Sequence, residues 1–361
     1  MAISGPDDDT IRLKRAAFHP KPMSSFVVAP RPPLRRRALL AGGAALVVLL
    51  AAGVGVWVAR GPAPLSLAPP PLAQPVPAQP EVASAPARAL PVATEAAILA
   101  DQPQQLTLFR FAPNPHILVW DFPDLREQGL MLNRVAAFAE KQGLPHDRVL
   151  TDPELARAIA AHGDTIETYY YGHDYSAATL RQFFSAADHD HVALDAQEER
   201  LRGLLTEQGL LAAGSTDAII TLPRLGADAL VDLSFRRTIL RHELSHGEYF
   251  TTPAYAAYAE HFWRDVMDAP ARAAFAKFLV EQDYDPALDD LTINETQAYL
   301  MHTPDQRAFS AQALGMAPAT LGRLQAAFLL GMPPGWLRDD TSVPPVDSAG
   351  PVLAVRPSGQ P

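Results

Sequence analysis

Twenty-two consecutive residues, Ala38 to Ala59, carry no charge, and this run partitions the chain before any other feature does. At about 1.5 Å per helical residue it covers the roughly 30 Å hydrocarbon layer of a bilayer. It reads as a membrane span. Residues 1–37 hold eight Lys or Arg against three Asp, a net charge of +5, whereas Arg60 stands almost alone on the far side. Basic flanks stay in the cytoplasm. The expected topology is therefore a single-pass inner-membrane protein with a cytoplasmic tail and a periplasmic or otherwise extracytoplasmic main domain. A cleaved signal is the rival, since Arg36-Arg37-Ala38-Leu39-Leu40 has a faint twin-arginine character. Retention is favoured, because the run exceeds a usual apolar signal core and Val58-Ala59-Arg60-Gly61-Pro62 is a poor cleavage site.

Residues 60–94 are a Pro/Ala-rich linker, with Pro69-Pro70-Pro71 and Pro75-Val76-Pro77 favouring extended polyproline-like backbone. The tail at 340–361, rich in Pro, Ser and Gly, is expected to be disordered. Residues 95–339 remain, enough for one sizeable core. With −10 over the whole chain and +5 in the first 37 residues, the remainder carries −15. Such a domain has no electrostatic attraction to nucleic acid, and no nucleic-acid partner is expected. The chain has no cysteine, which excludes disulfides and thiol catalysis.

Within the domain, His242-Glu243-Leu244-Ser245-His246 carries the chemistry. On a helix, two imidazoles four residues apart lie about 6 Å and about 40° from each other, so both reach one metal ion. Glu243 sits beside that metal rather than on it, where a general base belongs. Phe235, Ile239, Leu240 and Leu244 recur at helical spacing, with Ser234 as a plausible N-cap. The reading is a zinc site with Zn2+ as cofactor, and it needs a third protein ligand.

Glu295, within Asn294-Glu295-Thr296-Gln297-Ala298-Tyr299 on a second apolar-periodic segment, is the best third ligand. Glu260 and His261, on a helix opening at Thr252-Pro253, compete for the place. Coordination by Glu295 requires its carboxylate to come within about 4 Å of both imidazoles. The two motifs together resemble the gluzincin class of metallopeptidases, in which H-E-x-x-H gives two ligands and a later helix gives a glutamate. Thermolysin-like members also carry asparagine before that glutamate and an aspartate four residues after it. Here Tyr299 takes the aspartate's place, and 48 residues separate His246 from Glu295, more than in those enzymes.

The chemistry expected is hydrolysis of a peptide bond by a zinc-bound water, with Glu243 as general base. A donor for the developing oxyanion is sought in Tyr169-Tyr170-Tyr171-Gly172-His173-Asp174-Tyr175, where Tyr171 and His173 are the candidates. Aromatics packed in the core are the competing reading. His302 is a weaker candidate. Asp188-His189-Asp190-His191 is read as a solvated loop rather than a second metal site. The function read from all this is a membrane-anchored zinc metallopeptidase acting on envelope or periplasmic proteins or peptides. The alternative is a tethered, non-catalytic binding module that keeps the fold.

The expected fold is α+β, a mostly helical zincin-like domain with a small sheet. His116 to Phe122 and Ala218 to Leu222 read as strands, and Asp152-Pro153-Glu154 and Asp195-Ala196-Gln197-Glu198 as helix starts. The strand at 218–222 resembles the edge strand on which such peptidases lay a substrate; an ordinary core strand is an equal reading.

Overall fold

Apolar runs too continuous for a one-faced strand mark the centre of the domain. The computed structural model describes residues 89–342. Its mixed α+β architecture contains five strands: β1 (Val92–Ala93), β2 (Thr107–Phe111), β3 (Ile117–Phe122), β4 (His173–Ser176) and β5 (Ala218–Pro223). Every residue of β3 and β5 is buried, as strands covered on both faces must be. They pair in parallel in a sheet of order β1-β2-β3-β5-β4, with β4 antiparallel at one edge. The strand at 218–222 is thus interior, and the edge strands are β1 and β4.

Around the sheet run α1 (Glu95–Ala100), α2 (Leu125–Ala139), α3 (Asp152–Ala161), α4 (Ala177–His189), α5 (Ala196–Glu207), α6 (Leu233–Thr251) and α7 (Pro253–His261). A π-helical turn at Phe262–Val266 follows, then α8 (Ala269–Glu281), α9 (Asp289–His302), α10 (Pro318–Gly331) and α11 (Trp336–Ser342). Alternation along the strands sorts them into two layers. Leu118, Trp120 and Ile219 face the core shared with α2, α4 and α5. Ile117, Val119, Ile220 and Leu222 face the core built with α1 and α6 to α11.

Caps explain several helix starts. Asp195 accepts from the Gln197 and Glu198 amides, and Glu198 closes a capping box. Thr151 and Glu154 form another, spanning Pro153. For α6 the cap is Asp232, whose carboxylate accepts from the Phe235 amide, two residues earlier than the expected Ser234. A carboxylate there also meets the positive end of the helix. Order reaches back into the segment read as linker, since Val92 and Ala93 pair with Arg110 and Phe111. The expectations for residues 1–37, the span at 38–59, the linker up to residue 88 and the tail beyond 342 lie outside the described residues. Among the described residues no helix is long and apolar enough to cross a membrane.

Candidate metal centre

Helix α6 lies against β5, β4 and α9, and its H-E-x-x-H turn is at this junction. Leu240 and Leu244 are buried in the core on the α6 side, each contributing roughly 1.5–3 kcal/mol by burial. That packing turns the opposite side of the helix toward α9. Gly247 allows a close approach to the sheet: a Cβ there would lie 2.9 Å from Ile117.

Across the junction, His242 Nε2 and His246 Nε2 stand 3.1 Å apart. Glu295, from α9, lies 3.6 Å from His242 Nε2 through Oε2 and 3.7 Å from His246 Nε2 through Oε1. All three residues are closed to solvent. Donors held about 2.0–2.2 Å from a tetrahedral zinc ion lie about 3.3–3.5 Å from one another. The observed separations, of which the last two go to different oxygens of Glu295, bracket that size, and these buried groups are geometrically able to bind a metal ion. Glu295 also meets the 4 Å condition.

The ligands are held from behind. Thr303 Oγ1 donates to the Ala298 carbonyl, so it accepts from the Nδ1–H of His242 at 2.8 Å. This fixes the tautomer that leaves the Nε2 lone pair facing Glu295. Tyr299, where thermolysin-like enzymes carry aspartate, sets its ring edge-on to His242 with centroids 4.8 Å apart. Gln297 joins the helices. Its Nε2 donates to Ser245 Oγ at 3.2 Å, its Oε1 accepts from Tyr255 Oη at 2.5 Å, and Ser245 donates to the His242 carbonyl at 2.7 Å.

Glu243 is fully buried beside the triangle. A Cβ on Gly172 would lie 2.3 Å from its Oε1, so the carboxylate occupies space that only glycine leaves open. A second group of potential ligands overlaps the first: Asp174, Glu243 and His246 present atoms within 4.8 Å of one another. Asp174 also lines a cavity of about 440 Å³ walled by Tyr175 and Ser176 of β4, Tyr249 and Phe250 of α6, and Asn294 of α9. This cavity borders the centre.

Other expected residues go elsewhere. Tyr171 packs edge-on against Phe235 in the core, and burial pushes its hydroxyl pKa up. His173 sits between the rings of Tyr170 and Tyr175, with Nδ1 3.3 Å from both Thr221 Oγ1 and Gln128 Nε2. Neither belongs to the converging groups, so the core reading of this aromatic stretch holds for both. Glu260 bonds Arg264 at 2.8 Å, and exposed His261 faces Asp265 at 2.8 Å, which removes both competitors for the third ligand. His302 is buried, and its pKa is pushed down to about 3 by burial and by repulsion from His242, His246 and Arg241. Asp188 pairs with Arg202, and exposed His189 faces Asp190. The sequence reading missed Asp174, Thr303 and Gln297. Asp174 lies inside a stretch that stands out for its aromatics, and nothing local marks the other two. Comparison with protein-family models, curated proteins and solved structures gives no match.

Proposed function

We propose that the chain is a zinc-dependent metallopeptidase, with His242, His246 and Glu295 as the metal ligands and Glu243 as the general base. The convergence of two imidazoles and a carboxylate from a separate helix into one buried triangle carries this reading. When bound, a zinc ion acidifies a water and polarises a carbonyl. Glu243 takes a proton from the attacking water as its oxygen joins the carbonyl carbon. The same carboxyl returns that proton to the leaving nitrogen as the C–N bond breaks. Thr303 keeps His242 in its ligating tautomer, while Leu240 and Leu244 seat the helix against the core. The cavity bordered by Asp174 and Asn294 is the approach for a peptide, and β4 offers its free edge there.

The anchored topology follows from Ala38–Ala59 and its basic flank, which makes envelope or periplasmic proteins and peptides the substrates. The test uses the full chain in detergent. Zinc content is measured by mass spectrometry for the wild type, His246→Ala and Glu295→Ala, and a peptide library is assayed with Glu243→Gln as control. One zinc per wild-type chain is expected, with loss in both ligand variants and cleavage abolished in Glu243→Gln. No stoichiometric metal in the wild type overturns the reading. Zinc binding without any cleavage favours the tethered binding module instead.

A further inference from the structure

The two histidine ligands are not held alike. His242 has Thr303 behind it, whereas Nδ1 of His246 is buried and has no hydrogen-bond partner. The acidic group facing it is Asp174, with Oδ1 3.8 Å away. That is too long for a hydrogen bond, which needs about 2.7–3.2 Å, but a movement of under about 1 Å closes it. An imidazole that ligates through Nε2 carries its proton on Nδ1, and a buried N–H without an acceptor costs about 1–3 kcal/mol. We propose that Asp174 is a positioning residue for His246: it takes the Nδ1–H of that ring and presents the Nε2 lone pair to the metal position. The role rests on the metal-site reading above.

Strand register explains why Asp174 can do this. It is opposite Ile220, whose side chain is in the core on the α6 side, while its neighbour Tyr175 is opposite Ile219 in the other layer. A slip of one residue would send Asp174 to the wrong face. With Tyr299 on α9, the carboxylate facing Nδ1 of His246 comes instead from the sheet edge. A strand-borne partner differs from a helix-borne one in a further respect. Asp174 and its neighbours Tyr175 and Ser176 wall the cavity, so a peptide lying there touches the strand that orients a ligand.

The experiment compares wild type, Asp174→Ala and the near-isosteric Asp174→Asn in the full chain. Zinc affinity is read by competition with a chromophoric chelator, and the His246 Nδ1–H by its proton resonance in histidine-labelled, zinc-loaded protein. Asp174→Ala is expected to bind zinc about 10–100-fold more weakly and to move that resonance upfield as its acceptor is lost. Asp174→Asn, whose carbonyl oxygen still accepts a hydrogen bond, should fall between the two, and its matching volume guards against simple unfolding. Where peptide cleavage is measured at saturating zinc, kcat should fall more than KM rises. Wild-type zinc affinity and an unmoved Nδ1–H resonance in Asp174→Ala overturn the proposal. Two zinc ions per wild-type chain, falling to one in Asp174→Ala, also overturn it, because Asp174 would then be a ligand. A wild type that binds no zinc defeats the underlying reading and this role with it, whereas zinc binding that is indifferent to Asp174 defeats this role alone.

Discussion

Two buried polar clusters sit on the same helix, α6, six residues apart, and they are built on opposite principles. Arg236 is fully buried. Its guanidinium donates to the carbonyls of Pro223, Ile98 and Leu99 and, at 2.5 Å, to Asp121 Oδ2. Those contacts tie α6 to α1, β3 and β5. Around His242 and His246 the groups that converge are mainly acceptors: two imidazole nitrogens and the carboxylates of Glu295, Glu243 and Asp174. In the first cluster the cation is part of the chain. In the second, the arrangement is geometrically able to take a cation from outside. Equal burial therefore accompanies a structural anchor in one place and the proposed binding site in the other, and the balance of donors to acceptors separates them.

Breaking the anchor should have the largest effect. Arg236→Met strips the partner from buried Asp121, and a loss of about 3–5 kcal/mol in urea-unfolding stability is expected. Burial already pushes the Asp121 carboxyl pKa above its usual range, against the pull of Arg236, so the acid can take up a proton and hold the loss to the lower end. If Arg236→Met keeps wild-type stability, the distinction between anchor and site collapses.

A second change sharpens the comparison from the side of the site. Gly172→Ala places a methyl group in the space of Glu243 Oε1. The expected outcome is a drop in peptide cleavage of about 100-fold or more as the base is displaced, with a stability loss of about 1–3 kcal/mol. Zinc content should remain near that of the wild type, since Gly172 is outside the ligand triangle. Loss of zinc together with cleavage would mean that Glu243 and the ligands do not act separately.

The smallest effect belongs to a pair on the surface, Arg148 and Glu154, at 2.9 Å. The hydrogen bond from Arg148, followed by that from the Thr151 amide, lowers the Glu154 pKa from 4.5 to about 2. A depressed carboxylate contributes stability that is complete above about pH 4.5 and is lost as pH falls toward 2. Glu154→Gln should flatten the stability profile in that window and, because the pair is on the surface, lower stability at neutral pH only slightly. A difference at pH 7 as large as that of Arg236→Met would remove burial as the deciding variable.

Local chemistry and periodicity made much of this legible. The i, i+4 imidazoles, the capping acid at Asp195 and the apolar runs of β3 and β5 each depend on neighbours in the chain. The α+β class and the strands at 117–122 and 218–223 follow from such patterns. Less was visible where long-range packing ruled. Tyr171 and His173 have the right chemistry for a site, but sheet register assigns the face of His173 and packing on Phe235 that of Tyr171. Thr303 follows His302 with no local sign that its hydroxyl would meet a ring 61 positions earlier.

By itself, the sequence determined the spacing of His242, Glu243 and His246, because covalent helix geometry fixes which side chains share a face. It also set the uncharged run at 38–59 and the acidity of the domain C-terminal to it. Tertiary structure alone decided that Glu295, rather than Glu260 or His261, approaches both imidazoles, and that Asp174 faces His246 at 3.8 Å while α9 carries Tyr299. These pairings arise from packing α6 against α9 and from the register of β4 on β5, and both join residues whose separation along the chain gives no hint of their meeting.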